Sequence, residues 1–250
     1  MIQPLLPPGA VSAESDGAGP APEILAAEAH LVAGAAAGRR RDFAFGRACA
    51  REALAGLGWS DYAVVAGPGR QPRWPPGTVG SITHCTGYCA AAVARSGDLL
   101  GLGIDAEPNV AVTSRWHRRV GVDTELLRAG RVPDVDPALL VFSAKEAFYK
   151  AWYPLTGHEL GLLDGTVHVD NSQVVGGHGC FDVRLVAPSA VALLPPDATV
   201  EGQWAVTPSH VFTVAAIRRA TIRRHSGEVP VESQRYPGGD MPPDRAGGLH

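Results

Sequence analysis

The stretch LLGLGIDAEP (residues 99–108), read together with PALLVFSAKEAFYKAWY (residues 137–153), decides the fold. In the first, small and apolar residues lead into Asp105 and Glu107 and Pro108 closes the run, the pattern of a strand on which residues two apart share a face. In the second, apolar residues recur at helical spacing, which predicts a helix from about Pro137 to Tyr153 ended by Pro154.

Working outward, LLPPGAVSAES suggests one short edge strand. PEILAAEAHLVAGAAAG (22–38) and DFAFGRACAREALAGLG (42–58) read as two helices, the second with Asp42 as N-cap and Gly58 as stop, and Arg39-Arg40-Arg41 between them. YAVVAG, TVGSITHC, YCAAAVAR and LLGLGIDAEP follow as strands, so the first half reads as helices packed on an antiparallel sheet. After a mixed region with helical character around Thr124–Ala129 and the helix at 137–153, TVHVD, CFDVRLVA, VEGQWAV and VFTVAAIRR supply a second sheet. The division is therefore 1–109, 110–224 and a tail, 225–250, too poor in large apolar groups to offset its ordering entropy. The fold class is α+β.

The chain has 250 residues, 45% apolar and 19% charged, enough for a substantial core and too apolar for a wholly disordered protein. Gly 30 and Pro 21, without a triplet period, imply many turns and exclude collagen. The net charge of −3 offers no general field for a polyanion, so phosphate binding requires a local basic cluster. Apolar runs are broken well short of the roughly 20 residues that a membrane span requires. Few cysteines and no export-signal pattern predict reduced thiols and a cytoplasmic protein.

The 22 basic residues comprise 20 Arg and only two Lys, Lys145 and Lys150, both in FSAKEAFYKAW. A composition that favours Arg leaves Lys where a compact charge able to release a proton is needed. On a wheel of about 100° per residue, Glu146 and Lys150 share a polar face and Lys145 lies toward one flank. Asp105 and Glu107 on one strand face repel each other unless a cation intervenes, and Mg2+ is the economical one; the bland alternatives are a solvated edge and an ordinary i, i+4 pair. Arg39, Arg40, Arg41, Arg47 and Arg51 form the one dense basic cluster, suited to a small polyphosphate rather than nucleic acid because no aromatic residues interleave. Thr83 and His84 offer further phosphate contacts, and the Cys85–Cys89 spacing does not match a zinc knuckle.

Taken in order, WPPGTVGSITHCTGY, LGIDAEP and FSAKEAFYKAWYPLTG resemble the three signature motifs of 4'-phosphopantetheinyl transferases, of the monomeric type serving nonribosomal peptide, polyketide and siderophore synthetases. The resemblance runs from about Leu5 to Arg219 and includes RRRDFAFGRACAREAL. It implies two similar α/β halves related by a pseudo-twofold axis, with coenzyme A and Mg2+ in the cleft between them. Asp105, Glu107 and Glu146 resemble the Mg2+ carboxylates, Lys150 the catalytic lysine, with Glu146 as candidate base, and Lys145 a lysine that helps hold coenzyme A. Arg39, Arg40, Arg47, Arg70, Thr83 and His84 match residues near the nucleotide phosphates. The implied partner is an apo acyl or peptidyl carrier protein, with neither nucleic acid nor membrane involved. A different Mg2+-dependent phosphotransferase or hydrolase, or a noncatalytic coenzyme A-binding module, remain alternatives for these residues.

Overall fold

The computed structural model describes residues 1–186, 188–195 and 198–219. The expected tail, 225–250, lies outside the described residues. Strands β1 (Val11–Ser15), β2 (Thr78–Cys85) and β3 (Tyr88–Arg95) form an antiparallel sheet in the order β1-β3-β2. Strands β4 (Gly101–Pro108), β5 (Gly165–Val175), β6 (His178–Leu185), β7 (Ala198–Val206) and β8 (His210–Arg219) form a second, in the order β4-β8-β7-β6-β5. Helices α1 (Ala26–Ala29) and α2 (Ala37–Ala55) precede β2, while α3 (Ser114–Val120), α4 (Asp123–Ala129), α5 (Pro137–Thr156) and α6 (Pro188–Val191) follow β4. The α+β class expected from the sequence is what the elements show. Among the described residues no helix is long and apolar enough to cross a membrane.

Three apolar cores organise these layers. Phe45, Ala50 and Leu54 of α2 pack on Ala91 and Val93 of β3. Leu140, Phe148 and Trp152 of α5 pack on Val167, Phe181 and Trp204. Leu102 and Ile104 of β4 meet Ala90 and Ala92 of β3 and Phe212 of β8 in a core common to both sheets. The sequence places β4 beside the strands that precede it; the structure instead bonds it to β8, in register from Gly101↔Ile217 to Pro108↔His210. Its apolar residues face the common core, and its other face meets α5.

That other face carries Gly101 and Gly103 because nothing larger fits. A Cβ on Gly103 would lie 1.8 Å from the Ala147 carbonyl oxygen, and one on Gly101 2.5 Å from that of Ala151. The α5 backbone thus rests directly on β4, which brings the next residues on that face, Asp105 and Glu107, under the polar side of the helix.

Several local expectations give way to packing. The helix read over 22–38 shortens to α1 and a 3-10 turn, His30–Val32. Gly34 and the small residues around it offer no apolar stripe to extend it. Helix α2 starts at Ala37, so Asp42 is internal and Arg39-Arg40-Arg41 occupy its first turns. YAVVAG forms no strand and contributes only the isolated bridge Ala66↔Pro72. Pro154 does not end α5, which runs to Thr156 and stops at Gly157 in the left-handed region, φ 70°, its N–H donating to Tyr153 O. A proline in a last turn removes one helical hydrogen bond only, and the glycine supplies the stop.

A buried glutamate clamp occurs twice. Glu28 accepts from the backbone N–H of Leu25 (3.2 Å) and Val64 (2.9 Å) and pairs with Arg51 of α2 (3.1 Å). Glu125 accepts from the backbone N–H of Val122 (2.7 Å) and Val167 (2.7 Å) and pairs with Lys145 of α5 (2.9 Å). Each clamp ties a short helix to a long one and to the chain beyond it.

Because the added methyl would press on helix backbone, Gly103→Ala is expected to lower the melting temperature by at least about 5 °C. A melting temperature equal to wild type, read by circular dichroism, would show that α5 is not seated on β4 as described.

Candidate active site

Asp105 is only 3% exposed and is bonded from three sides. Its Oδ1 accepts from Lys150 Nζ (2.7 Å) and Thr83 Oγ1 (3.3 Å), and its Oδ2 from Ser143 Oγ (2.8 Å). Lys150 Nζ also donates to Ile104 O at 3.3 Å, so the lysine lies along the β4 backbone. Thr83 Oγ1 in turn accepts from Ala106 N–H at 3.1 Å, which ties β2 to β4 where the two sheets adjoin.

Glu107 and Glu146 complete the acidic group. Burial pushes the Glu107 carboxyl up to about 7, the charges of Asp105 and Glu146 add to the rise, and Lys150 opposes it. Burial likewise raises Glu146, with Asp105 adding and Lys150 opposing. Asp105 and Lys150 thus act on the two raised glutamates in opposite senses, and the local excess of carboxyl groups over ammonium is one that a hard divalent cation relieves. Among the described residues no three His, Cys, Asp or Glu side chains converge closely enough to form a metal cage. Mg2+ does not require a closed cage, since protein carboxylates supply only part of its shell and water and phosphate oxygens take the remaining positions. The donor chemistry fits that ion.

On the other side of β2 lies a pocket of about 460 Å3, lined by Arg39, Arg47, Arg70, His84, Phe43 and Ile82 among others. Its size is that of a small-ligand site. Arg47 is 7% exposed, its guanidinium sits 4.4 Å over the Phe43 ring, and its Nε has no hydrogen-bond partner among the described residues. Burial lowers its pKa to about 10; Glu28 opposes this, while the Arg39 and Arg51 charges reinforce it. This is a buried cation short of an anion.

Arg39 Nη1 stands 2.9 Å from His84 Nε2. A guanidinium has only donors, so Nε2 accepts and the imidazole is neutral, with its proton on Nδ1. Burial, then the Arg39 charge, lowers the His84 pKa in agreement. Arg70 holds φ +65°, in a turn closed by Gly67 N–H to Gln71 O (2.7 Å) and Arg70 N–H to Gly67 O (2.9 Å). A non-glycine residue in that region stores strain, which the surrounding turn retains.

The residues named from the sequence thus fall into four locations. Asp105, Glu107, Glu146 and Lys150 gather at one cluster. Arg39, Arg47, Arg70 and His84 gather at the pocket. Arg40 is exposed and lines neither. Thr83 is buried and donates to Asp105, so it stands at the carboxylate cluster and not in the arginine pocket. Lys145 is 6% exposed and lies apart, donating to Val120 O (2.9 Å) and Leu162 O (2.7 Å) and pairing with Glu125. With all three ammonium protons engaged, it is absent from the lining of the arginine pocket and lines, beside Glu146, a separate pocket of about 140 Å3.

Sequence reasoning did not pick out Ser143, Thr213 or Phe43. Phe43 was legible in principle, standing one helical turn before Arg47. Ser143 was legible as the small polar residue preceding Ala144 and Lys145, while Thr213 reaches the site only through strand pairing.

A family model for the 4'-phosphopantetheinyl transferase N-terminal domain matches residues 27–94. The 4'-phosphopantetheinyl transferase Svp of Streptomyces mobaraensis is 40% identical over 227 residues, 87% of this chain and 89% of that protein. The 4'-phosphopantetheinyl transferase Npt of Nocardia iowensis is 38% identical over 226 residues, 86% and 99% respectively. Enterobactin synthase component D of Salmonella typhimurium is 31% identical over 192 residues, 73% and 75%.

Removing the Lys145 ammonium leaves Glu125 buried without its cation, an arrangement that costs about 3–5 kcal/mol. Lys145→Met is expected to lower the midpoint of urea unfolding accordingly, and Lys145→Arg to lower it as well because a planar fork cannot meet three acceptors from separate segments. An arginine variant as stable as wild type would show that the three contacts do not constrain the site.

Proposed function

The chain belongs to the 4'-phosphopantetheinyl transferase family, and from that premise we propose that Asp105, Glu107 and Glu146 are its Mg2+ ligands, Lys150 its catalytic lysine, and Arg39, Arg47, Arg70 and His84 its coenzyme A phosphate contacts. The reaction moves the phosphopantetheine arm of coenzyme A to a serine hydroxyl of an apo acyl or peptidyl carrier protein and releases adenosine 3',5'-bisphosphate. One observation carries the assignment: consecutive residues of β2 serve both places, Thr83 touching Asp105 and His84 lining the arginine pocket. Strand alternation puts the two on opposite faces of β2, and the two places are joined around it: Arg70 lines both the arginine pocket and a neighbouring pocket with Lys150, and the Lys150 and Asp105 charges act on His84.

The roles follow from the chemistry of each group. Arg47, buried without a full set of partners, gains an anion when a phosphate enters, and Arg39 and Arg70 add guanidinium donors. Mg2+ supplies neutralisation of pyrophosphate charge when bound. Glu146, whose carboxyl is raised above the ordinary range, accepts the proton of the carrier serine. Lys150 stabilises the leaving phosphate oxygen or gives it a proton, and Asp105 holds its ammonium in place until substrate arrives. In this scheme Lys145 braces the site through Glu125, Val120 and Leu162 and stands beside Glu146 in a pocket that both line.

The finer architecture belongs to the same reading. We take 1–109 and 110–224 as two halves related by a pseudo-twofold axis, with the reaction in the cleft between them. The repeated clamp supports this, since Glu28 and Glu125 make the same three kinds of contact in the two halves.

Intact-mass analysis of an apo carrier protein incubated with coenzyme A and Mg2+ tests the reading. A gain of one phosphopantetheine is expected, lost on chelation and slowed about 10²-fold or more by Glu146→Ala; no gain on any of several acyl and peptidyl carriers would overturn it. Arg39→Ala is expected to raise the coenzyme A KM with little change in kcat, because its phosphate contact persists from ground to transition state. A loss confined to kcat would move Arg39 out of the binding pocket.

A further inference from the structure

Behind the carboxylate–lysine cluster lie two hydroxyls that the reading above leaves without a task. Ser143 stands seven residues before Lys150, two helical turns, so both project from the same side of α5 toward β4. Thr213 is the direct cross-strand partner of Asp105 in the β4–β8 pairing. Ser143 and Thr213 are both fully buried, and Asp105 nearly so.

The hydrogen bonds among them have one consistent direction. Ser143 Oγ is 2.8 Å from Asp105 Oδ2, an acceptor when ionised, so the single Ser143 hydroxyl proton points there. Ser143 Oγ is also 2.8 Å from Thr213 Oγ1, and with its own proton committed it accepts there. The donor in that contact is Thr213, whose proton is shared with the Ser143 carbonyl oxygen, also at 2.8 Å. The chain therefore runs from Thr213 to Ser143 to Asp105 and ends on Oδ2. The other oxygen, Oδ1, remains for Lys150 and Thr83. Burial of both hydroxyls leaves no solvent to stand in for either.

We propose that Ser143 and Thr213 are positioning residues of the transfer reaction: together they fix the plane of the Asp105 carboxylate so that Oδ1 is presented to Lys150 and Mg2+. The proposal rests on the assignment of Asp105 and Lys150 made above. Without Ser143, Oδ2 has no donor among the described residues and the carboxylate turns to share the Lys150 ammonium between both oxygens, which draws the lysine and the oxygen away from their work. Without Thr213, the Ser143 hydroxyl is free to rotate toward the carbonyl one turn back on its own helix. Coenzyme A affinity, set at the arginine pocket, is unaffected by either change.

Four proteins test this: wild type, Ser143→Ala, Thr213→Val and Thr213→Ser. Each is measured for phosphopantetheine transfer to an apo carrier, for Mn2+ binding by electron paramagnetic resonance in the absence of coenzyme A, and for thermal unfolding. Ser143→Ala is expected to lower kcat about tenfold and weaken Mn2+ binding severalfold, with the coenzyme A KM within about twofold of wild type. Thr213→Val, which keeps the shape, is expected to show a smaller loss in the same two readouts, and Thr213→Ser, which keeps the hydroxyl, to restore both. Wild-type kcat and Mn2+ affinity in Ser143→Ala and Thr213→Val overturn the proposal, as does a Thr213→Ser variant as impaired as Thr213→Val, since the methyl and not the hydroxyl would then matter. Failure of wild type to transfer phosphopantetheine would instead reject the functional assignment, and the Mn2+ series would still report whether the two hydroxyls orient Asp105.

Discussion

Everything at the site depends on supplying one buried carboxylate with partners. An isolated Asp105 at that depth would hold its oxygens away from water uncompensated. Lys150, Thr83 and Ser143 prevent this, and each comes from a different point of the chain: the late and early parts of α5 and the neighbouring strand β2. Their convergence needs α5 to lie against bare backbone, which Gly101 and Gly103 permit. The two glycines, silent in chemistry, are thus as much a condition of the site as the charged residues.

The cluster and the arginine pocket are unbalanced in opposite senses. On one side of β2 Asp105 pairs with Lys150 while burial raises Glu107 and Glu146 nearby, and on the other Arg47 is buried near the like charges of Arg39 and Arg51 with its Nε unpaired among the described residues. A fold selected for stability alone would neutralise both within the chain, since breaking or omitting a partner for a buried charge costs several kcal/mol. Here the missing counter-charges are of the kinds a pyrophosphate and a divalent cation bring together. In the proposed reading, binding one ligand would improve the electrostatics of the other, because phosphate oxygens can satisfy guanidinium forks and a divalent cation at once.

The strands were legible wherever alternation or a short apolar run was bounded by turns, as in TVGSITHC, YCAAAVAR and VFTVAAIRR. The shared face of Asp105 and Glu107 and the shared face of Glu146 and Lys150 also followed from period alone. What period does not contain is the identity of the facing element. It could not show that β4 pairs with a strand more than a hundred residues later, nor that Thr213 would thereby meet Asp105. The same blindness affected Lys145: a helical wheel put it on one flank, but only the structure shows that Glu125 and the carbonyls of Val120 and Leu162 wait there.

The scarcity of lysine acquires a physical reason from the two glutamate clamps. In the first, Arg51 meets Glu28 and the Glu23 carbonyl with its side chain 18% exposed, at the edge of the protein where a long planar fork has room. In the second, Lys145 is 6% exposed and meets one carboxylate and two carbonyls that arrive from three separate segments. Three acceptors spread around a point match the three protons of an ammonium, whereas guanidinium donors lie in one plane. Lys150 is under a related constraint, wedged between Asp105 Oδ1 and the Ile104 carbonyl where α5 lies closest to β4. A sequence otherwise committed to arginine therefore keeps lysine at two places where a small, near-spherical cation is the shape that fits, one bracing α5 through Glu125 and the other bonded to Asp105.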